Sequence, residues 1–306
     1  MINELKEKMH EYFVGREEII ENLLICLFAG GHVLLEDVPG VGKTTLARTL
    51  AKSLDCDFGR IQFTPDTMPG DVIGTEIFNM KTSEFEYRAG GIMHQIILAD
   101  EINRTSPKTQ SSLLEAMAEG QVTVGGVKRK LMEPFMVIAT QNPVEFAGTY
   151  PLPEAQIDRF MMRLSIGYPS KEEELRLAKN RLSGKTTDSI ESIISAEDVL
   201  KIREEVKKVT IKDAVLEYMR EIIDLTRNES RFVLGASPRA MLSMMSAAQA
   251  KAYMKGRDFV KPDDVKAVAA YTLAHRLTLT SEAKIGREDP AKIITALILK
   301  AKVPME

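Results

Sequence analysis

The chain has 306 residues, of which 44% are hydrophobic and 28% are charged. These proportions are typical of a globular protein, and they exclude a disordered or fibrous chain. The chain carries 41 Lys and Arg residues against 44 Asp and Glu residues, and it has no Lys/Arg-rich block that would favour a nucleic-acid backbone, so we expect no nucleic-acid partner.

Apolar runs and helical patterns alternate in the first half of the chain. The runs are rich in β-branched residues and predict strands at His32–Leu35, Arg60–Phe63, Ile96–Ala99, Phe135–Thr140 and Met162–Ile166. The helical patterns cover Glu17–Ala29, Lys43–Leu54 and Pro107–Ala118. This alternation is typical of a parallel β-sheet with helices on both faces. We therefore predict the α/β class for this half.

Two glycine-containing segments predict hairpins that interrupt the alternation. The segment "QVTVGGVKRKL" alternates around Gly125-Gly126, which is a good two-residue turn. A second hairpin is expected over about Val72–Met93. We expect both hairpins to be insertions at one end of the sheet.

Helical periodicity replaces the strand pattern from Lys171 onward. Capped helical patterns are predicted at Asp213–Arg227, Ser237–Tyr253, Pro262–Leu277 and Pro290–Lys300. The second half therefore predicts an all-α domain. We place the two domains at residues 1–169 and 170–306, with a polar linker at Ser183–Ser192.

The cysteines and the apolar segments bear on the cellular compartment. Cys26 and Cys56 form no C-x-x-C pair and have no nearby histidine that would complete a metal site, so we expect two reduced, buried thiols. The sequence shows neither a signal peptide nor an apolar run of about 18 residues. It therefore predicts a cytoplasmic protein without a membrane segment.

The segment "LLEDVPGVGKTTLARTL" carries an incomplete phosphate-loop pattern. Such a loop follows a strand and points backbone N–H groups at nucleotide phosphates, while its lysine adds charge and its Ser/Thr hydroxyl binds Mg²⁺. Asp37 stands where the pattern begins with glycine, but aspartate tolerates unusual backbone angles. We predict a nucleotide-binding loop formed by Asp37, Val38, Pro39, Gly40, Val41, Gly42, Lys43, Thr44 and Thr45.

Two further segments predict the groups that ATP hydrolysis needs. The reaction requires an acid that holds Mg²⁺ and a base that orients the attacking water. Asp100 and Glu101 end the apolar run of "IILADEINR". Asn142 follows the run of "VIATQNP" and is expected at the same sheet edge.

In their order along the chain, these segments resemble the MoxR family of AAA+ ATPases, in the branch with a hairpin inserted in the second core helix. The resemblance rests on "EDVPGVGKT", "ADEINRTSPKTQSSLLEAM", "ATQNPVEFAGTYPLPEAQIDRF" and "GASPRA", and it covers about Phe13 to Leu279. It implies an AAA+ P-loop NTPase core, with a five-stranded parallel sheet between helices, followed by a helical lid domain. The acidic pair before "VPGVGKT" is characteristic of this family.

The resemblance also implies a role for each matching residue. Lys43 and Thr44 would bind phosphate and Mg²⁺, with Asp100 as the Walker B metal acid and Glu101 as the general base. The other implied roles are sensor 1 for Asn142, adenine contact for Val14 and Gly15, an arginine finger acting on the next subunit for Arg159, and sensor 2 for Arg239.

The finger assignment has alternatives. Arg159 could instead have a structural role, in an ion pair with Glu154 or Asp158. Arg104 is a rival for the finger role.

Three functions compete. The resemblance implies a homo-oligomeric ring, expected to be hexameric, that hydrolyses ATP and remodels protein clients, often proteins with a von Willebrand factor A domain. An ATP-gated scaffold with little turnover would have no need of Glu101, Asn142 or Arg159. A nucleic-acid loader of the same superfamily is disfavoured by the formal net charge of −3.

Overall fold

The strands of the computed structural model form one large sheet and three two-stranded sheets among the described residues, 1–142 and 149–304. The strands are β1 (Val33–Glu36), β2 (Phe58–Gln62), β3 (Thr75–Asn79), β4 (Glu84–Arg88), β5 (Ile96–Asp100), β6 (Gln121–Val124), β7 (Val127–Lys130), β8 (Met136–Gln141), β9 (Met162–Leu164), β10 (Phe232–Leu234) and β11 (Thr278–Leu279).

The large sheet has the strand order β2-β5-β8-β1-β9. Its neighbours β2 and β5, β5 and β8, and β8 and β1 pair in parallel. Strands β5 and β8 are buried along nearly their whole length, as expected for a sheet covered on both faces. The five predicted core strands are confirmed, with ends shifted by one or two residues. Because parallel strands share a carboxyl edge, the segments that follow β1, β5 and β8 meet there.

The predicted helices are also confirmed. Ser106 caps the helix that begins at Pro107, because its side chain accepts the N–H of Thr109. The α-helices are α1 (Ile2–Tyr12), α2 (Glu17–Phe28), α3 (Lys43–Ser53), α4 (Pro69–Ile73), α5 (Pro107–Glu119), α6 (Glu154–Ile157), α7 (Lys171–Leu182), α8 (Ala196–Lys208), α9 (Asp213–Arg227), α10 (Pro238–Met254), α11 (Pro262–Leu273), α12 (Ser281–Ile285) and α13 (Pro290–Lys300).

Both predicted hairpins are present. Strand β3 pairs with β4, and β6 pairs with β7, each in antiparallel fashion. Gly125 and Gly126 have φ angles of 59° and 77°. Positive φ at both central positions is what a two-residue hairpin turn of this kind requires, and glycine adopts it without strain.

The second half is helical, as predicted, with one addition. Strands β10 and β11 form a short antiparallel pair, which the sequence analysis missed because strands of two or three residues show no alternation. The helix predicted to run to Leu277 ends at Leu273, and a 3₁₀ turn at Ala274–Arg276 leads into β11.

Packing divides the chain into two units. The first contains Met1–Glu21, His32–Arg159 and Ser165–Leu200, and the second contains Asn22–Gly31, Phe160–Leu164 and the chain from Lys201 onward. Residues 165–200 pack with the first unit, and the domain boundary after residue 169 stays a prediction. Every helix within the described ranges is too short or too polar to span a bilayer.

Candidate functional site

The phosphate-loop segment connects β1 to α3, which is the predicted strand–loop–helix context. Gly40 and Gly42 have φ angles of 88° and 93°, a region that glycine adopts without strain. Gly42 is the N-cap of α3, so Lys43 and Thr44 begin the helix. The positive end of a helix dipole and its free N–H groups favour an anion at this position.

Asp37, at the position of the missing glycine, is a buried anchor. Its side chain is only 5% exposed. One carboxylate oxygen accepts the N–H of Ile166 at 2.7 Å, and the other accepts the N–H of Gly167 and the hydroxyl of Ser165, both at 2.9 Å. The carboxylate therefore joins the start of the loop to a distant segment of the same unit.

Lys43 is held within the loop by a backbone carbonyl. Its Nζ donates to the backbone carbonyl oxygen of Asp37 at 2.7 Å. Burial lowers the pKa of Lys43, while the negative charges of Asp37, Asp100 and Glu101 act in the opposite direction. Because β1 and β5 both pair in parallel with β8, the loop after β1 and the carboxylates at the end of β5 lie at the same edge of the sheet.

Thr140 on β8 supports the two acidic residues at the end of β5, Asp100 and Glu101. Its hydroxyl donates to Oδ1 of Asp100 at 2.7 Å and accepts the N–H of Glu101 at 2.8 Å. Glu101 has φ 59° and ψ 49°, a left-handed conformation that costs a non-glycine residue about 1 kcal/mol or more. The hydrogen bond to Thr140 helps to hold this conformation and so directs the Glu101 side chain.

Both carboxylates also contact cationic or amide groups. Nη2 of Arg60 donates to Oδ2 of Asp100 at 2.6 Å. Oε2 of Glu101 accepts Nε2 of Gln62 at 3.0 Å and Nη1 of Arg104 at 3.1 Å. Arg104, the alternative candidate for the arginine finger, therefore contacts Glu101, the candidate general base of its own chain.

The sequence analysis missed Arg60, Gln62 and Thr140. They lie on the strands that flank β5, and the register pairs Gln62 with Asp100 directly. These residues are recognised as neighbours of the acidic pair only from the strand order of the sheet. No local pattern in the sequence predicts that order.

The donors present fit a magnesium ion that is carried by a nucleotide. Mg²⁺ uses one or two carboxylates and completes its shell with phosphate and water oxygens. Asp100 offers the carboxylate, and Thr44 offers a half-buried hydroxyl on the first turn of α3. Within residues 1–142 and 149–304, no group of three or more His, Cys, Asp or Glu side chains could hold a metal by itself.

A cavity of about 210 Å³ adjoins the loop within the first unit. It brings the predicted Val14 and Gly15 together with loop residues, as expected for a nucleobase pocket. It also includes residues that the sequence analysis missed, among them Tyr168 and Leu177. The full lining is Phe13, Val14, Gly15, Arg16, Gly40, Val41, Gly42, Thr45, Ile166, Gly167, Tyr168, Pro169, Glu173 and Leu177.

Three predicted residues remain, Asn142 and Arg159 in the first unit and Arg239 in the second. Asn142 is buried just after β8, two positions beyond Thr140. Arg159 is partly exposed, and its alternative ion pair with Glu154 or Asp158 stays a prediction. Arg239 is exposed near the start of α10 in the second unit. The motif that contains Asn142 and Arg159 also includes residues 143–148, which lie outside the described residues.

Comparisons with known proteins agree with this arrangement. The family model of the ATPase family associated with various cellular activities (AAA) matches residues 32–162, and the AAA lid domain matches residues 224–297. The chain is 50% identical to the Bacillus subtilis protein YeaC over 100% of this chain and 96% of that protein.

Two further similarities extend over nearly the whole chain. It is 40% identical to Chaperone MoxR1 of Mycobacterium tuberculosis, over 95% of this chain and 79% of that protein. A crystal structure from Cytophaga hutchinsonii, provisionally described as an ATPase, superposes with a TM-score of 0.93 at 43% identity. That similarity covers 99% of this chain and 95% of the other.

Proposed function

Because this chain belongs to the MoxR family of AAA+ ATPases, we propose that it hydrolyses ATP with Mg²⁺ in a homo-oligomeric, hexameric ring and remodels protein clients. One observation carries the proposal. Strands β1 and β5 both pair in parallel with β8, which supports a single site at their carboxyl edge for the loop lysine Lys43, the proposed metal acid Asp100 and the proposed base Glu101. A loop that only binds nucleotide has no need of a base there.

Each residue would contribute a separate part of the reaction. The loop N–H groups and Lys43 would hold the β- and γ-phosphates, and Thr44 with Asp100 would hold Mg²⁺. When bound, Mg²⁺ neutralises charge that develops on the phosphate oxygens. Glu101 would accept a proton from the attacking water.

The remaining groups would act on the γ-phosphate. Asn142 would place the attacking water or the γ-phosphate, and Arg239 would couple the lid to it. Arg159 of one subunit would stabilise negative charge in the site of the next.

The client and the compartment also belong to the proposal. The chaperone name of the Mycobacterium tuberculosis relative supports a protein client, and the family resemblance suggests clients with a von Willebrand factor A domain. Cys26 and Cys56 are buried and form no disulfide, which suits a reducing compartment such as the cytoplasm. We keep residues 1–169 as the ATPase core and residues 170–306 as the lid part.

Mixing two inactive variants tests the proposal. The variant Glu101→Gln retains Arg159 but lacks the proposed general base. The variant Arg159→Ala retains a complete nucleotide site and lacks only the arginine finger that it would supply to its neighbour. Steady-state ATP hydrolysis should be low for each variant alone and should return when the two are mixed. Subunit exchange is checked with fluorescently labelled subunits.

Arg104→Gln is the matched control. Arg104 contacts Glu101 of its own chain, so its loss should not be repaired by Glu101→Gln neighbours. If mixing does not raise the ATP hydrolysis of Arg159→Ala although the subunits exchange, the proposal that Arg159 acts on the neighbouring subunit is wrong. If the unmodified protein binds ATP but does not hydrolyse it, the ATP-gated scaffold replaces the proposed ATPase. A salt-sensitive affinity for DNA would instead favour the nucleic-acid loader.

A further inference from the structure

The main chain at the base of the proposed finger is held by buried side chains. Arg159 ends a segment of the first unit, and Phe160–Leu164 packs with the second. Phe160 is fully buried. Its carbonyl oxygen accepts Nη2 of Arg276 at 2.7 Å and lies 3.0 Å from Nε2 of His275. The residue next to the finger therefore has a defined position in the second unit.

Arg276 is itself fixed in place. It is only 8% exposed, and its Nη2 also donates to the hydroxyl of Ser243 at 3.0 Å. Ser243 lies on α10, about one helical turn after Arg239. A buried guanidinium without acceptors destabilises the folded protein strongly. The hydrogen bonds of Arg276 therefore hold its acceptors in one arrangement.

His275 adds no second positive charge beside this guanidinium. Burial, together with the charge of Arg276, lowers the pKa of His275 to about 3. The imidazole is therefore neutral at physiological pH. Arg276 remains the cation that holds the Phe160 carbonyl.

We infer that Arg276 is a positioning residue for the ATPase reaction of the neighbouring subunit, because it fixes the Phe160 carbonyl and with it the direction of Arg159. This inference rests on the proposed role of Arg159. A charged group that reaches a reacting phosphoryl group must be well placed, since a shift of about 1 Å can cost on the order of 10²-fold in rate. Arg276 acts through Phe160 and Arg159 rather than on the nucleotide.

Kinetics of Arg276→Met and of mixed rings test the inference. The substitution removes all donors but keeps an extended apolar side chain, and we expect kcat to fall on the order of 10²-fold with KM for ATP unchanged. Mixing with Glu101→Gln should restore hydrolysis, because those neighbours supply a well-placed finger. Mixing with Arg159→Ala should restore nothing, because both partners then lack a working finger.

Two further variants separate positioning from stability. Val268→Ala removes buried volume from α11 in the second unit without altering a group bonded to Phe160, and it should lower stability but not kcat. Arg276→Lys keeps one charged donor, so it should retain intermediate activity. If Arg276→Met does not fold, Arg276→Lys is used in the same mixtures.

The outcomes distinguish this inference from the proposed function. If Arg159→Ala is restored by Glu101→Gln neighbours but the Arg276 variant is not, Arg276 does not act through the finger. Loss of binding of a fluorescent ATP analogue by Arg276→Met would overturn the inference in the same way. If the activity of neither variant is restored, Arg159 does not act on the neighbouring subunit. The proposed role of Arg276, which depends on that action, is then also wrong.

Discussion

Oδ2 of Asp37 accepts the backbone N–H of Ile166 at 2.7 Å, across 129 residues of chain. Asp37 begins the phosphate loop, and Ile166 lines the cavity beside that loop. The residue that departs from the phosphate-loop pattern thus holds a wall of the candidate nucleotide pocket.

Asp37→Gly should therefore damage the protein although it restores the pattern. Loss of the acceptor leaves buried donors unpaired, which costs about 1–3 kcal/mol of unfolding free energy. We expect a lower denaturation midpoint and weaker binding of a fluorescent ATP analogue. Glu191→Gln, which changes an exposed carboxylate, is the control. An unchanged midpoint for Asp37→Gly would mean that Asp37 is merely tolerated.

Arg60→Gln should reduce the Mg²⁺ requirement of hydrolysis. The guanidinium contacts Asp100, and a second cation near this carboxylate opposes metal binding. Arg60 is 47% exposed, so the pair is worth roughly 0.2–1 kcal/mol, equivalent to at most about a fivefold shift. Titration of Mg²⁺ in the ATPase assay measures the half-saturating concentration. Arg60→Lys keeps the charge and should show little change, whereas a higher requirement in Arg60→Gln would contradict the prediction.

Thr140→Val should lower kcat. The buried hydroxyl supports both Asp100 and Glu101, and its removal leaves the N–H of Glu101 unpaired at a cost of about 1–3 kcal/mol. Because the carboxylates lose their orientation, we expect a fall in kcat of about tenfold or more. Thr140→Ser retains the hydroxyl and should stay near the unmodified protein. Equal rates for the two variants would show that the hydroxyl does not orient the acids.

His275 should make the protein sensitive to acid. Its pKa is about 3 in the folded chain because of burial, against an ordinary value of 6.5. The unfolded chain therefore binds more protons between these values, so stability is lost as the pH falls below 6.5 toward 3. The slope is at most about 1.4 kcal/mol per pH unit. Denaturation at several pH values should show a smaller slope for His275→Gln. An unchanged slope would assign the acid sensitivity to other groups.

Local patterns were sufficient for much of the fold and of the candidate site. Apolar runs predicted the five core strands, and Gly125-Gly126 predicted a hairpin turn, because both signals lie within a few adjacent residues. The loop around Lys43 and the acidic strand end at Asp100 were found in the same way. Conversely, β10 and β11 were missed because such short strands carry no period.

By itself, the sequence determined which elements form and which chemical groups follow them, since helix and strand periodicity and loop spacing are local properties. Only the tertiary structure decided that Asp37 anchors Ile166, that Arg60 meets Asp100, and that Arg276 holds the carbonyl of Phe160. The physical reason is that these contacts join residues that are 40 to 129 positions apart. They depend on strand order and on packing of separate segments, which no local period encodes.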